Sequence, residues 1–405
     1  MSDVYIDKKL KSELYRLVSM PTFAGSLPGM TAKINEVDKT LRSRVLNESI
    51  DGLAEEFSSL GLNVVTIEDQ GYRSVVATSQ KKKRPRLMLN AHIDVVPVNS
   101  MDKLEVVLED GKFIGRGVFD MKFAIACYLC FLREHKERLE DLDIGVMVTS
   151  DEEVGGFHGA KILAEDGWGG DVVLVPDGGD NWQIETKAKG CWAAELNALG
   201  VNAHGARPWE GDSASERLVK ALSEIIKLFD NNNKMGTTCN IGKLNSGKAF
   251  NQVPSYGYAI LDIRSFSSID VDSYSVKIDE IANRYRVEYR LKKVSMPISL
   301  ENESEVMATF ARHVERITNQ ETRYSHSYGS SDARWFTKDG MQPIVIRPYG
   351  GDAHKDNEWL LAEDLLKYYR LVESFVLDYG RVMSWTKLQP TRPALLPLLQ
   401  RDYCG

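Results

Sequence analysis

The stretch RLMLNAHIDVVPV, residues 86–98, joins a nearly continuous apolar run to a histidine and an aspartate. Two later runs, DIGVMVTS at 143–150 and DVVLVP at 171–176, are similarly apolar. Strands that are apolar almost throughout are typical of a sheet covered on both faces, and helix-like stretches lie between these runs. The pattern therefore predicts an α/β fold in which helices cover both faces of a sheet, a three-layer α/β/α domain.

The pattern of predicted elements changes at about residue 190. From there to about residue 300 the order is β-α-β-β-α-β, which is typical of a ferredoxin-like unit. The alternation of strands and helices returns afterwards, with a helix predicted within SSDARWFTKDG (330–340), so a smaller α+β domain interrupts a discontinuous α/β domain. The predicted limits are 1–189 and 301–384 for the α/β domain, 190–300 for the inserted domain, and 385–405 for a C-terminal tail with three prolines.

Composition excludes several classes of protein. The 405 residues are 43% hydrophobic and 27% charged, which is enough apolar sequence for a packed core and argues against disorder. The formal net charge of −7 is unfavourable for binding nucleic acid or an anionic membrane. The longest apolar run, Phe123 to Leu132, is about half of a membrane span. With no secretion signal at the N-terminus, we expect a cytoplasmic protein without nucleic-acid or membrane partners.

Cys127 and Cys130 form a C-x-x-C pair that could indicate redox chemistry or metal binding. The pair lies in FAIACYLCFL, where a spacing of three residues places both thiols on one face of a buried helix. Buried cysteines behave as small apolar side chains, and this is the interpretation we favour. An odd total of five cysteines also argues against a disulfide framework.

Histidines and carboxylates follow the predicted strands at five places. Residues beyond the carboxyl ends of strands in an open α/β sheet converge on one crevice, and several buried carboxylates there need a cationic partner. Imidazole and carboxylate ligands without thiolates suit zinc, cobalt or manganese. The number of ligands makes a pair of metal ions plausible, with one carboxylate bridging. The five places are His92 with Asp94, Asp120, Glu152 with Glu153, Asp177, and His354.

At two of these places, neighbouring residues can have different chemical roles. Asp94 can accept a hydrogen bond from the ring of His92 or of a nearby ligand, which would fix its tautomer and orientation. In the adjacent pair Glu152 and Glu153, one carboxylate can bind metal while the other accepts a proton from water.

Eight motifs, in this order, resemble the di-zinc amidohydrolase and exopeptidase family. That family includes acetylornithine deacetylase, succinyl-diaminopimelate desuccinylase, aminoacylase, carboxypeptidase G and cytosolic dipeptidases. The motifs are NAHIDVVPV (90–98), GRGVFDMK (115–122), TSDEEVGG (149–156), VPDGG (175–179), KGCWAAELNALGVNAHGARPWEGDSA (189–214), AFNQVPSYGYAILDIR (249–264), YGSSDARWF (328–336) and GGDAHKDNEWL (350–360).

The resemblance implies roles for individual residues. His92, Asp120 and Asp177 would hold one metal ion, and Asp120, Glu153 and His354 the second, with Asp120 bridging. Glu152 would be the general base and Asp94 would orient a ligand. His204, from the inserted lid and dimerisation domain, would stabilise the oxyanion in a partner's active site. The implied substrate contacts are Asn251, Arg264, Arg334, Gly350 and Gly351.

Some of these residues have simpler alternatives, and the sequence departs from the family pattern in places. Arg264 could form a salt bridge on a strand, Arg334 could pair on a helix surface, and His204 could be an exposed loop histidine. Phe123 stands where the family usually has glycine, and YGSSDAR differs from the common G-G-T-D-A-R. In the family this position is glutamate in many deacylases and aspartate in many aminopeptidase-type members, so the resemblance at Asp177 favours peptides as substrates.

We therefore expect a metal-dependent enzyme that hydrolyses an amide bond in a small molecule with a free carboxylate. An N-acyl amino acid is the favoured substrate, and a dipeptide or short peptide is the alternative. The expected cofactors are two divalent ions, most simply Zn²⁺, with Co²⁺ or Mn²⁺ as alternatives, in a homodimer joined through the lid domain. A non-catalytic scaffold with the same fold is a third, more distant possibility.

Overall fold

The computed structural model describes residues 2–24, 36–300 and 303–382, so the predicted tail at 385–405 lies outside the described residues. The helices are α1 Asp3–Val18, α2 Glu36–Ser59, α3 Lys122–Glu134, α4 Ala160–Glu165, α5 Ala214–Ile225, α6 Ser268–Arg284, α7 Glu305–Thr318 and α8 Ala362–Tyr379. The strands are β1 Asn63–Asp69, β2 Tyr72–Thr78, β3 Leu87–His92, β4 Val107–Glu109, β5 Lys112–Ile114, β6 Ile144–Thr149, β7 Val172–Val175, β8 Gln183–Ala188, β9 Gly190–Leu199, β10 Ala203–His204, β11 Thr238–Ser246, β12 Gln252–Val253, β13 Tyr256–Ser265, β14 Val287–Ser295, β15 Ile298–Ser299, β16 Arg323–Ser327, β17 Gln342–Val345, β18 Gly350–Gly351 and β19 Trp359–Leu361.

The main sheet has nine strands in the described part of the chain. Its order is β1-β2-β6-β3-β7-β17-β8-β15, with β16 paired to β8. The central strands β6, β3, β7 and β17 are parallel to their neighbours in this series. Strands β3, β6 and β7 are buried along their whole length, as their apolar sequences predict. The parallel strands therefore direct their carboxyl ends to the same edge.

Helices cover both faces of this sheet. On one face α1, α3, α7 and α8 contribute to one large apolar core. On the other face α4 packs with the short 3₁₀ helix Asp332–Phe336 over a smaller core. Residues Lys122–Leu132 of α3 are all buried, Cys127 and Cys130 among them. The predicted three-layer architecture is confirmed, and so is the predicted burial of these two thiols.

The segment after β8 forms a second sheet with its own core. Its strand order is β11-β13-β9-β14, all antiparallel, and α5 and α6 pack on it. Each helix starts at a serine whose hydroxyl accepts a backbone N–H three residues on: Ser213 from Glu216, and Ser267 from Asp270. The order of elements is the predicted β-α-β-β-α-β.

Two predicted features differ from the structure. The helix predicted within SSDARWFTKDG (330–340) is only the 3₁₀ helix Asp332–Phe336, because its side chains are tied to neighbouring segments: Thr149 Oγ1 donates to Asp332, and Arg334 Nη2 donates to the carbonyl of Gly155. A small four-stranded sheet, β18-β19-β5-β4, was not predicted. Its strands have only two or three residues, too short for a periodic pattern.

Among the helices of the described ranges, none combines the length and the apolar character of a membrane-spanning segment.

Candidate metal centre

The carboxyl ends of three parallel strands bring together three of the five predicted ligands, while Asp120 lies just before α3 and His354 lies between β18 and β19. His92 is the last residue of β3 and lies beside Thr149, the last residue of β6. Glu152 and Glu153 follow β6 in a short 3₁₀ helix, and Asp177 follows β7 by two residues. These side chains therefore converge on one crevice at the carboxyl edge of the sheet, as their positions after the strands predict.

One group of potential ligand atoms belongs to His92, Asp120 and Asp177. These atoms all lie within 4.8 Å of one another. The Nε2 atom of His92 is 3.4 Å from Oδ1 of Asp120, and the ring of His92 is almost completely buried.

A second group consists of Asp120, Glu153 and His354, again within 4.8 Å of one another. The Nε2 atom of His354 is 3.3 Å from Oδ2 of Asp120 and 3.0 Å from Oε2 of Glu153. Asp120 therefore belongs to both groups and directs a different carboxylate oxygen towards each histidine.

The chemistry of these residues fits a pair of divalent cations. His92 Nε2 is buried and, within the described chain, makes no hydrogen bond that satisfies it. Each group combines one imidazole with two carboxylates, a donor set suited to zinc and similar ions. Buried carboxylates this close together repel each other unless a cation lies between them.

The pKa values of the ligands reflect this crowding. Burial, and then the charge of Asp120, raise the pKa of Asp177 to about 6. Burial also raises the pKa of Glu153 to about 7. Hydrogen bonds to Asp120 and then Glu153 raise the pKa of His354 to about 10. Without a metal ion the site would therefore hold protons that a cation must displace.

Asp94 connects a ligand to the segment that carries Glu152 and Glu153. Its carboxylate accepts hydrogen bonds from the backbone N–H of Glu152 at 3.3 Å and of Glu153 at 2.9 Å. Nδ1 of His92 is 3.0 Å from the Asp94 carbonyl oxygen and 3.5 Å from its carboxylate. Asp94 can therefore fix the ring of His92 with Nε2 directed at the metal centre.

Glu152 lies at the point where two parts of the cavity meet. One part, here the acidic lobe, has a volume of about 530 Å³ and is lined in part by Asp180, Glu185 and Arg347. The other, here the arginine lobe, has a volume of about 430 Å³ and is lined in part by Arg264 and Arg334. The residues that line both lobes are Glu152, Gly329, Ser330 and His354.

The electrostatics of Glu152 suit a group that takes up a proton. Burial, and then the nearby charge of Asp177, raise the pKa of the Glu152 carboxyl well above its ordinary value. The same two causes raise the pKa of Glu185 in the acidic lobe to about 8. A carboxylate with a raised pKa is a stronger proton acceptor than an ordinary one.

The two predicted arginines both line the arginine lobe. Arg264, on β13, is paired with Asp262 at 2.7 Å, which is the strand salt bridge given as its alternative role. It also borders the cavity. Arg334 is buried, donates to the carbonyl of Gly155 at 2.7 Å, and leaves its Nε atom without a hydrogen-bond partner in the described ranges.

Four other predicted residues do not line either lobe in this chain. His204 and Asn251 are exposed at the β10–β12 pair of the inserted domain. Gly350 and Gly351 form β18, where a Cβ atom on Gly350 would lie 2.2 Å from Phe119. Close packing against Phe119 is therefore the physical reason for glycine at position 350.

Arg347 was not among the predicted site residues. Its Nη1 atom is 3.8 Å from Oδ1 of Asp120 and 3.7 Å from Oδ1 of Asp177, and its Nε donates to Asp180 at 2.6 Å. A signal for it existed, because Arg347 follows the apolar strand β17 just as the other residues follow their strands.

Comparison with known proteins identifies the family. Residues 88–378 match peptidase family M20/M25/M40, and the chain belongs to that family. The predicted class is thereby confirmed: the protein is a metal-dependent hydrolase of amide or peptide bonds.

Among the relatives is a succinyl-diaminopimelate desuccinylase from Rickettsia akari, 28% identical over 327 residues that cover 73% of this chain and 84% of the relative. Another protein of that name, from Pseudomonas syringae pv. syringae, is 25% identical over 307 residues, covering 69% of this chain and 80% of the relative.

Solved structures share the fold. A family M20 metallo-carboxypeptidase from Sulfolobus solfataricus has a TM-score of 0.73 at 17% identity, covering 92% of this chain and 99% of that one. A tripeptidase from Staphylococcus aureus has a TM-score of 0.70 at 21% identity, with the same coverage. Human carnosine dipeptidase 1 also has a TM-score of 0.70, at 13% identity, covering 93% and 98%.

Proposed function

We propose that this enzyme hydrolyses the amide bond of a small N-acyl amino acid that carries a free carboxylate. The observation on which this depends is the arrangement of two ligand groups that share Asp120, with Glu152 beside them at the junction of both lobes. Support for an acyl substrate comes from the desuccinylases that align with most of the chain.

In the proposed centre, His92, Asp120 and Asp177 hold one divalent ion, and Asp120, Glu153 and His354 hold the other. We propose zinc as the native metal, with cobalt or manganese as alternatives. When bound, such ions polarise the amide carbonyl and acidify water.

The residues of the chain have complementary tasks in this reaction. The Glu152 carboxylate accepts a proton from the attacking water and then delivers it to the leaving nitrogen. Asp94 keeps the ring of His92 oriented. Arg264 and Arg334 bind the substrate carboxylate in the arginine lobe, since a guanidinium pairs well with a carboxylate.

A dipeptide or short peptide is the second candidate substrate, and the acidic lobe favours it. Asp180 and Glu185 border the side of the cavity opposite the two arginines. Asp180 is already paired with Arg347 at 2.6 Å, and a pKa of about 8 leaves Glu185 largely protonated at neutral pH. A cationic amino group of the substrate beside Glu185 would favour the ionised form of that carboxyl, whereas an acyl group would not. The two candidates thus differ in whether the acidic lobe contacts a cationic group of the substrate.

A hydrolysis screen distinguishes these candidates. Acetyl-, succinyl- and formyl-amino acids are compared with dipeptides that share the same C-terminal residue, with and without added Zn²⁺, Co²⁺ or Mn²⁺. Preference for the blocked compounds supports the deacylase, and preference for a free α-amino group supports the peptidase. Protein that binds none of these metals and hydrolyses neither class would contradict the proposal and favour a scaffold.

The remaining expectations concern assembly and location. We propose domain limits at 1–189, 190–300 and 301–384, with 190–300 acting as lid and homodimer interface in a cytoplasmic enzyme. His204 would then stabilise the oxyanion in the partner's site, and Asn251, Gly350 and Gly351 would contact substrate upon closure. Light scattering of the purified protein tests the dimer. Mixing the H204A and E152Q variants tests whether His204 acts across the dimer. A mixed dimer would regain one complete site, with Glu152 from the H204A subunit and His204 from the E152Q subunit.

A further inference from the structure

Glu358 is a fully buried carboxylate outside both ligand groups. Its Oε1 atom accepts hydrogen bonds from the backbone N–H groups of Gly117 at 3.0 Å, Phe119 at 2.9 Å and Asp120 at 2.9 Å. Its Oε2 atom accepts a hydrogen bond from Nη1 of Arg116, a side chain that is only 2% exposed, at 2.8 Å. Four donors from one short loop therefore converge on a single carboxylate.

That loop carries the residue that both ligand groups share. Asp120 lies between the histidines, with Oδ1 3.4 Å from His92 Nε2 and Oδ2 3.3 Å from His354 Nε2. A small rotation of the Asp120 backbone would move both oxygens at once. The backbone hydrogen bond to Glu358 opposes that rotation.

Glu358 also belongs to the segment that carries His354. It lies four residues after His354, and its backbone N–H donates to the carbonyl of Lys355 at 3.2 Å. Its own carbonyl accepts the N–H of Gly115 at 3.0 Å, and the next residues form β19, which pairs with β5. One residue therefore connects the Asp120 loop to the His354 loop through both its backbone and its side chain.

We propose that Glu358 is a positioning residue that sets the distance between the Asp120 loop and the His354 loop, so that two metal ions can share Asp120. Glu358 lines neither lobe of the cavity, so its effect passes through the backbone of Asp120. This inference rests on the proposed metal centre. Removing a residue that hydrogen-bonds to a metal ligand commonly weakens metal affinity about 10-fold to 100-fold.

Two substitutions separate the hydrogen bonds of Glu358. In E358Q the carbonyl oxygen can still accept the three backbone N–H groups, while the amide nitrogen no longer accepts from Arg116. In E358A all four hydrogen bonds are lost. The proposal therefore predicts a graded loss of metal affinity, smaller in E358Q than in E358A.

The experiment measures Co²⁺ and Zn²⁺ binding to the full-length chain after metal is stripped and the chelator removed. Competition with a chromophoric chelator gives the affinity of each equivalent, and the visible spectrum of the cobalt form reports ligand geometry. We expect E358A to bind at least one equivalent about 10-fold to 100-fold more weakly, with an altered cobalt spectrum. E358Q should lie between E358A and the wild type.

Glu13→Ala is the matched control. Glu13 accepts from Arg133 at 2.7 Å in a partly buried ion pair between α1 and the C-terminal end of α3, away from the candidate ligands. Its loss should lower the melting temperature while metal affinity and the cobalt spectrum stay at wild-type values. A purely structural role for Glu358 would give the same result.

The outcomes are distinct. Wild-type affinity and spectrum in folded E358A would overturn the inference, and where E358A does not fold, the same result in E358Q would overturn it. Failure of the wild-type chain to bind either metal would instead contradict the proposed metal centre itself.

Discussion

The two ligand groups differ in how firmly the fold holds them. His92 ends a strand that is buried along its length, and its side chain is 1% exposed. His354 lies on a turn between β18 and β19, with φ of +67° and a side chain that is 57% exposed. We infer that the main sheet preorganises the His92 group, whereas the His354 group depends on a loop. Metal at the His354 group should therefore be bound more weakly.

The largest expected effect concerns the residue that belongs to neither group. Replacing Glu152 by Gln removes the proton acceptor but leaves both ligand sets in place. Turnover should fall by about 10²-fold to 10⁴-fold, the usual contribution of general acid–base catalysis. Steady-state kinetics together with metal analysis by mass spectrometry checks this. Retained turnover, or loss of metal equal to the loss of turnover, would contradict the assignment.

Alanine at each histidine tests the comparison directly. H354A should lose one metal equivalent and keep the other, because the His92 group remains complete. H92A should lose the tighter equivalent and, through Asp120, weaken the second. We expect the affected metal ion to bind at least about 100-fold more weakly. Removing a ligand costs at least as much affinity as removing a residue that hydrogen-bonds to that ligand. Equal losses in the two variants would mean that the groups do not differ.

Metal binding to both groups should depend on pH. Although burial opposes it, hydrogen bonds to Asp120 and Asp94 raise the pKa of His92 well above its ordinary value, so the first group holds protons too. With the pKa of His354 raised to about 10 and that of Glu153 to about 7, the second group holds protons at neutral pH that a metal ion must displace. Affinity there should rise with pH, by up to about tenfold per pH unit for each proton released, until pH approaches 10. Calorimetry in buffers of different ionisation enthalpy measures the protons released. A pH-independent second equivalent would show that His354 is not a ligand.

A smaller effect is expected in the helical layer behind the sheet. Burial works against ionisation of Glu373, but hydrogen bonds from His135 and Arg370 lower its pKa to about 2. The ionised group therefore stabilises the fold above pH 4.5, and this contribution is lost as pH falls from 4.5 towards 2.

Glu373→Gln tests this contribution. At pH 7 the free energy of unfolding should fall by at most about 3 kcal/mol, and the acid dependence between pH 4.5 and 2 should become shallower. Chemical denaturation at several pH values measures both. Metal content should not change, so E373Q also serves as a stability control for the histidine variants.

Most strands of the main sheet could be predicted, although β8 and β15 were not among the predicted strands. Strands β3, β6 and β7 fall within their predicted apolar runs, because burial on both faces demands continuous apolar sequence. The small sheet of β4, β5, β18 and β19 was missed for the opposite reason. Its strands are too short to show a period, and pairing with distant segments creates them.

The residues of the candidate metal centre also include some that the sequence indicated and some that it did not. His92, Glu153 and Asp177 follow recognisable strands, so local sequence indicated where their side chains would meet. Arg347 follows a strand too and could have been found by the same criterion. Glu358 could not, because its importance comes from a contact with a loop about 240 residues earlier in the chain.

The amino-acid sequence alone determined the layered α/β fold and the family, and it predicted the acids and histidines of the candidate metal centre. Apolar periodicity and residue type are local properties, and these conclusions depend on them. Tertiary structure decided which ligands share Asp120, how exposed each histidine is, and which carboxylate holds the Asp120 loop. Those properties depend on distances between segments far apart in the chain, and such distances exist only once the sheet and its loops have packed together.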